Sequence, residues 1–389
     1  MADQHPAMDS ATPTQPSAQL GIPPARPEVE SLHAYSAPLE GRRGLLRLDF
    51  NENTVGPSPK VMEALRGIPA DQIATYPEYD GLREAMVANL ADCSEGRPGL
   101  AYPLQPDQIG LFNGVDAAIH AVFHAYGDRG ETLLTTSPTF GYYSPCAQMQ
   151  GMVIHAIPYS GSDFSFPLES LKAALASSPR LLLICNPNNP TGTRLAPQTI
   201  LELAAAAPQT LVVVDELYEA FTGDSVLPLV DFAASPNLLV LRSLAKTAGL
   251  AGLRMGFAIG HAAVVDRVSR VTGPYDINSL AVTAAFAALA DQRFTDAYVS
   301  EVLRSRTWMA ETLHQAGVRH HLAGGNYLLI WPSVVSAAVV EQRLREAGIL
   351  VRSMAGKPLI DGSLRVSLGT LEQMQQFWQA YAAIEGLQL

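Results

Sequence analysis

Leu181-Leu182-Leu183-Ile184, Leu211-Val212-Val213-Val214 and Leu238-Leu239-Val240-Leu241 are runs without a polar residue, and Leu133-Leu134-Thr135-Thr136 comes close. A strand with one wet face alternates apolar and polar residues; an unbroken run suits a strand covered on both faces. Helical stretches precede three of them, at 116–126, 168–176 and 198–206. Strand and helix in alternation predict an α/β fold, with a mostly parallel central sheet flanked by helices.

The texture changes after about residue 271. A long helical stretch is expected over 278–316, closed by Gly317. A strand follows at 327–331, a helix at 336–347, strands at 349–352 and 364–368, and a last helix at 371–384. These imply a smaller α+β C-terminal domain. Residues 1–27, rich in Pro, Ala, Gln and Ser, are expected to form a flexible arm. The expected division is therefore 1–27 arm, 28–50 segment packing on the small domain, 51–275 large domain and 276–389 small domain. The chain has 389 residues, which is ample for two domains with sizeable cores.

With 48% hydrophobic and 16% charged residues the chain reads as globular. A net charge of -11 without a basic block argues against nucleic acid and anionic membranes. Cys93, Cys146 and Cys185 are scattered and form no metal-binding pair. No apolar run is long enough to span a bilayer, and the N-terminal residues have no signal-peptide pattern, so a cytoplasmic location is expected.

In open α/β sheets ligands bind beyond the carboxyl ends of the strands. The residues that follow each apolar run are polar and distinctive. Residues 185–193 read Cys-Asn-Pro-Asn-Asn-Pro-Thr-Gly-Thr, a stiff turn rich in side-chain amides. Asp215-Glu216-Leu217-Tyr218 ends the next run. A carboxylate there suits a protonated ring nitrogen in low dielectric, although alone it reads equally as a helix cap. Ser243-Leu244-Ala245-Lys246 and Arg254 follow the fourth run. Ser243 and Arg254 suit a phosphate, and Lys246 suits covalent attachment of a carbonyl compound. Most lysines are solvated, but this one stands among Ala, Gly and Leu. Asn113-Gly114-Val115-Asp116 opens a helix, where free amides make an anion site. Pro138-Thr139-Phe140 offers a ring for stacking; alone it reads as core.

Taken in order with Asn51-Glu52-Asn53, Tyr76-Pro77 and Leu364-Arg365-Val366-Ser367-Leu368-Gly369-Thr370, these strings resemble the fold type I aminotransferases of class I/II, and among them the histidinol-phosphate aminotransferase branch. The resemblance runs from about residue 45 to the C-terminus. It implies pyridoxal 5′-phosphate as cofactor, carried by Lys246. It implies Asp215 at the pyridinium nitrogen, Tyr218 and Asn189 at the phenolic oxygen, and Phe140 on the ring face. Ser243, Arg254 and the amides of Gly114, Val115 and Asp116 would hold the phosphate. Tyr76 would reach the cofactor phosphate of a neighbouring subunit, making the active unit a homodimer. Arg365 would clamp the substrate carboxylate, with Arg352 as a second anion contact and Asn51 beside the substrate. The implied reaction moves an amino group between an amine donor and a 2-oxo acid, 2-oxoglutarate, with ping-pong kinetics and a place in histidine biosynthesis.

Several positions depart from that branch. Ala245 stands where a serine is usual, Phe140 where a tyrosine is, Asn113 where an arginine is common, and Thr54 where a proline follows the Asn-Glu-Asn string. They keep aromatic amino acids as donors, and threonine-phosphate decarboxylation, as alternatives. The Ser243-x-x-Lys246 spacing also matches a serine hydrolase motif, but no Lys-Thr-Gly or Ser-Asp-Asn accompanies it. His120 and His124 have zinc-ligand spacing but Ala121 replaces the glutamate. His320-His321 reads as a solvated turn. A non-catalytic binding module is disfavoured by the intact Lys246, Asp215 and Arg365.

Overall fold

The computed structural model describes residues 23–32, 40–93 and 97–387. Most of the expected arm, 1–22, lies outside the described residues. The strands are β1 (Leu46–Arg47), β2 (Ile109–Asn113), β3 (Thr132–Ser137), β4 (Val153–Pro158), β5 (Leu181–Cys185), β6 (Leu211–Asp215), β7 (Leu238–Ser243), β8 (Met255–Gly260), β9 (His320–His321), β10 (Tyr327–Ile330), β11 (Ile349–Leu350), β12 (Arg352–Ser353) and β13 (Leu364–Ser367).

Seven of them form one sheet in the order β2-β8-β7-β6-β5-β3-β4. It is parallel except at β8, which runs antiparallel to both β2 and β7. The four apolar runs of the sequence are β3, β5, β6 and β7, and helices cover both of their faces. Val212, Val214 and Val240 pack with Ile200 and Leu203 on one side and with Ala281 and Ala285 of a later helix. Leu211, Val213, Leu239 and Leu241 pack on the other face with Ile119, Val122 and Val265.

The second sheet, β12-β13-β10-β9, is antiparallel. Leu328 and Val366 bury against Val302, Met309, Phe377 and Tyr381 of the long helices behind it. β1 pairs in parallel with β11, and Leu48 joins this second core. Upstream, the turn of helix Pro27–Glu30 lies instead against the large sheet's helix Tyr143–Met149, where Arg26 Nη2 donates to the Met149 carbonyl.

Two expectations are corrected. The stretch 278–316 is two helices, Ser279–Leu289 and Gln292–Gln315, broken at Ala290-Asp291. The first packs with the large sheet's core, whereas Tyr298, Val299 and Val302 of the second belong to the other core. The break is what lets one apolar stretch serve two cores facing different ways. His320-His321 is a half-buried strand, not a solvated turn. His321 Nε2 donates to the Thr191 carbonyl, and its ring meets Phe164 edge-on at 4.7 Å.

The two sheets meet at the Asn-Pro turn. Tyr327 donates its hydroxyl to the Asn188 carbonyl at 2.6 Å, and the Gly324 amide donates to the Gly192 carbonyl at 2.7 Å. A Cβ on Gly192 would lie 2.7 Å from the Gly324 backbone, at a φ of +71°. This junction therefore needs glycine for both shape and space.

Candidate active site

Alternation along β6 sets the site. Leu211 and Val213 face the core beneath helix Val115–Tyr126, and Asp215 continues on that side. Asp215 is 2% exposed. It accepts from the Tyr143 hydroxyl at 2.6 Å and from the Leu217 amide at 3.2 Å. Both donors are neutral, and burial pushes its carboxyl up to about 6.

Ser243 ends β7 and shapes the turn that follows. Its hydroxyl donates to the Met255 carbonyl at 3.1 Å and accepts from the Ala245 amide at 3.0 Å. The turn delivers Lys246, whose Nζ donates to the Phe50 carbonyl at 3.0 Å and lies 5.8 Å from the centre of the Tyr218 ring. Burial, and secondarily the Arg365 guanidinium, depress this amine to about 8. A sizeable fraction is therefore neutral and nucleophilic near physiological pH.

Gly114 has φ +81° at the mouth of helix Val115–Tyr126. A Cβ there would lie 2.6 Å from Arg254 Nη2, so glycine leaves room for the guanidinium beside the helix's first amides. Arg254 holds a left-handed conformation, φ +59°, and donates to Asp116 at 2.8 Å. The pair is half exposed and worth at most about 1 kcal/mol, so an anion can displace it cheaply. Phe140 lies beside Asp215's partner, 5.4 Å from the Tyr143 ring and edge-on to it.

Tyr218 Oη is a hub: Asn51 Nδ2 donates to it at 3.2 Å and Asn189 Nδ2 at 3.3 Å. Asn189 accepts from Arg365 Nη1 at 2.9 Å, while Arg365 Nη2 donates to the Asp49 carbonyl. Arg352 is paired in register with Arg365 across β12 and β13, so both project from the same face. The Arg352 guanidinium lies 5.5 Å from the centre of the Phe50 ring. Asn51 has φ +53° and is tied by Ser367, which accepts from its amide at 2.8 Å.

The structure thus brings together Asn51, Gly114, Val115, Asp116, Phe140, Asn189, Asp215, Tyr218, Ser243, Lys246, Arg254, Arg352 and Arg365. Tyr76 stands apart: it is 73% exposed and stacks on Tyr275 at 4.2 Å. Sequence reasoning missed Tyr143, Phe50 and Arg42. Tyr143, three residues beyond Phe140 at the start of a helix, carried a readable signal. Phe50 acts through its carbonyl, which no sequence pattern marks. Arg42 grips Asp49 and Glu52 with hydrogen bonds of 2.7–3.1 Å and lies over the Phe50 ring at 4.2 Å.

Residues 43–380 match the family Aminotransferase class I and II. The chain belongs to that family. It is 31% identical over 363 residues to a histidinol-phosphate aminotransferase of Syntrophotalea carbinolica, covering 93% of this chain and 99% of the relative. It is 33% identical to another from Roseiflexus castenholzii, covering 90% and 94%. A solved putative histidinol-phosphate aminotransferase from Erwinia carotovora atroseptica superposes with a TM-score of 0.79 at 27% identity, covering 91% and 99%. The fold also matches that of a Sinorhizobium meliloti histidinol-phosphate aminotransferase solved with pyridoxal-5′-phosphate, TM-score 0.79 at 23% identity, covering 92% and 96%. This aminotransferase is a pyridoxal-phosphate-dependent transaminase of the histidinol-phosphate aminotransferase-like branch, and its central sheet is that of the fold type I enzymes. The residues fit the cofactor. Gly114 leaves a cradle for the phosphate, Asp215 is a buried carboxylate suited to a cationic ring nitrogen, and Lys246 supplies the depressed amine. No helix among the described residues is long and apolar enough to cross a membrane.

Proposed function

We propose that this aminotransferase takes its amino group from histidinol phosphate and passes it to 2-oxoglutarate, in the cytoplasm and as a homodimer. The observation that carries the choice of donor is the paired register of Arg352 and Arg365, two guanidiniums on one face of the small sheet, Arg352 over the Phe50 ring and Arg365 at the Asp49 carbonyl. Two fixed forks suit a phosphate, and one of them suits the carboxylate of the oxo acid in the return half.

Bound pyridoxal phosphate supplies an aldehyde that bonds to amines and a ring that draws electrons from the substrate Cα. Asp215 would hold the ring nitrogen's proton in place. Tyr218, steadied by Asn51 and Asn189, would donate its hydroxyl to the phenolic oxygen, and Phe140 would cover the ring. Ser243, Arg254 and the amides of Gly114, Val115 and Asp116 would hold the phosphate. Lys246 Nζ would anchor the cofactor and, as general base and then general acid, would take the proton from the donor Cα and return it. Arg365 and Arg352 hold the donor so that this proton faces Nζ. Tyr76, exposed here beside Tyr275, would complete the phosphate site of a second copy. The two cores suggest a passage between large and small domains within 290–297, later than 275/276, because helix Ser279–Leu289 packs with the large sheet.

The test is initial rates with 2-oxoglutarate and single donors: histidinol phosphate, phenylalanine, tyrosine and aspartate, with threonine phosphate assayed for released carbon dioxide. Histidinol phosphate should exceed every other donor at least tenfold in kcat/KM. An aromatic donor ahead of it, or decarboxylation of threonine phosphate, overturns the reading.

A further inference from the structure

Glu216 follows Asp215 and so points to the opposite face of the sheet. There it meets Arg242, which alternation along β7 places on the same side as Val240. Arg242 is fully engaged, donating to Glu216 and Ser225 at 3.0 and 2.7 Å and also to Glu219. Beside this cluster is a cavity of about 250 Å³ that shares only Ser243 with the cofactor residues. Its lining includes the exposed Pro98 and Gly223, so it reaches solvent.

Three features point to a ligand. Arg97 lines the cavity, and its Nη1 is buried without a hydrogen bond, while its Nη2 donates to the Asn89 carbonyl. A buried guanidinium nitrogen left so is costly and calls for an acceptor. Asp296 also lines the cavity; its Oδ1 accepts from Gln292 Nε2 at 2.7 Å, and its carboxylate keeps a second oxygen. The rest of the lining is mixed: Met86, Leu90, Leu227, Phe257, Leu289 and Val299 give it an apolar part, beside the Glu216–Arg242 cluster, whose charges are already paired. The volume falls below the ~300–1,000 Å³ of sites for drug-sized ligands, so the occupant is smaller.

We propose that this cavity is a second small-molecule site, behind the sheet, that takes a zwitterionic amino acid with an apolar side chain. Arg97 receives its carboxylate, Asp296 its ammonium, and the apolar part of the lining its side chain. The location gives the site a way to act on catalysis. Leu244, Thr247 and Ala248 form part of the wall and flank Lys246. Leu289, Gln292 and Thr295 form another part, at the break between the helices that serve the two cores. An occupant wedges between the lysine turn and that break.

The test is calorimetric titration of the holoenzyme with L-leucine, with 4-methylpentanoate, which lacks the ammonium, and with 3-methylbutylamine, which lacks the carboxylate. L-Leucine should bind saturably, once per chain, and at least tenfold more tightly than either truncated probe. Arg97→Met and Asp296→Asn should each weaken it at least tenfold, and Arg365→Ala should leave that isotherm in place. Binding lost in Arg365→Ala but kept in Arg97→Met would put leucine in the active site and overturn the proposal. No saturable binding would overturn it too, leaving water as the partner of Arg97. In rate assays with saturating donor, L-leucine should change kcat at least twofold in the wild type and not in Arg97→Met. Binding with no change in rate would overturn the link to catalysis.

Discussion

Asp215 and Glu216 are adjacent in the chain, both buried and both raised by burial, yet the two faces of the sheet give them different partners. On the back face Glu216 has a guanidinium, a hydroxyl and an amide as partners. On the front face Asp215 has only a hydroxyl and an amide, and its carboxyl is pushed up to about 6. Lys246, also at the front, is pushed down to about 8. Burial raises the Glu216 carboxyl and lowers the Arg242 guanidinium too, but there each charge has the other as a partner. The front face holds a raised acid and a lowered amine with no oppositely charged side chain, among the described residues, hydrogen-bonded to either. Shifted groups left without a charged partner are characteristic of sites that bind or react.

The largest effect that tests this contrast is Lys246→Ala, which should lower transamination by at least about 10³-fold if it removes the proposed general base and cofactor anchor. Near-wild-type turnover in steady-state assays would break the comparison outright. Next comes the neighbouring pair. Asp215→Asn should cost about 10²-fold or more in kcat while the fold survives. Glu216→Gln should do the reverse, costing about 2–3 kcal/mol of stability by weakening a charged hydrogen-bond cluster while kcat per folded molecule changes little. Parallel denaturant melts and rate assays separate the two.

A subtler consequence concerns pH. The Asp215 carboxyl is raised on folding from 3.8 to about 6, so between these values the folded chain binds more protons than the unfolded one. Its burial penalty is therefore absent below about pH 4 and full above about pH 6. Asp215→Asn should stabilise the cofactor-free protein relative to wild type at pH 7, with the difference disappearing near pH 4 in thermal melts. The smallest effect is expected at the half-exposed Arg254–Asp116 pair, where Asp116→Asn should shift cofactor-free stability by no more than about 1 kcal/mol. A larger loss would mean that the anion cradle is stiffer than its exposure suggests.

What the sequence revealed follows from how each residue acts. β5, β6 and β7 were legible because burial on both faces leaves unbroken apolar runs. β2 and β8 were not, since Gly110, Gly256 and Gly260 interrupt them where backbone and side chains crowd close. The break at Ala290-Asp291 was hidden because alanine continues a helix as readily as it ends one. In the candidate site, Lys246, Asp215 and Arg365 were legible because their distinctive side chains stand in recognisable strings. The Phe50 carbonyl was invisible, being backbone. Arg42 was overlooked because an arginine before a strand looks like any solvated arginine until its two carboxylates are seen.

The segment around Phe50 also ties the ends of the chain together. β1 pairs with β11, and the Asn51 amide donates to a serine 316 residues further on. During synthesis the central strands can pair while the ribosome is still at work, but Asn51 must wait for Ser367 to emerge. Until then the Phe50 carbonyl that Lys246 meets is not held in place from the C-terminal side, and the apolar surface that will receive β11 and β13 stays open to chance encounters. Contacts of such long sequence separation are slow to close. For this enzyme, catalytic competence is the last thing folding delivers.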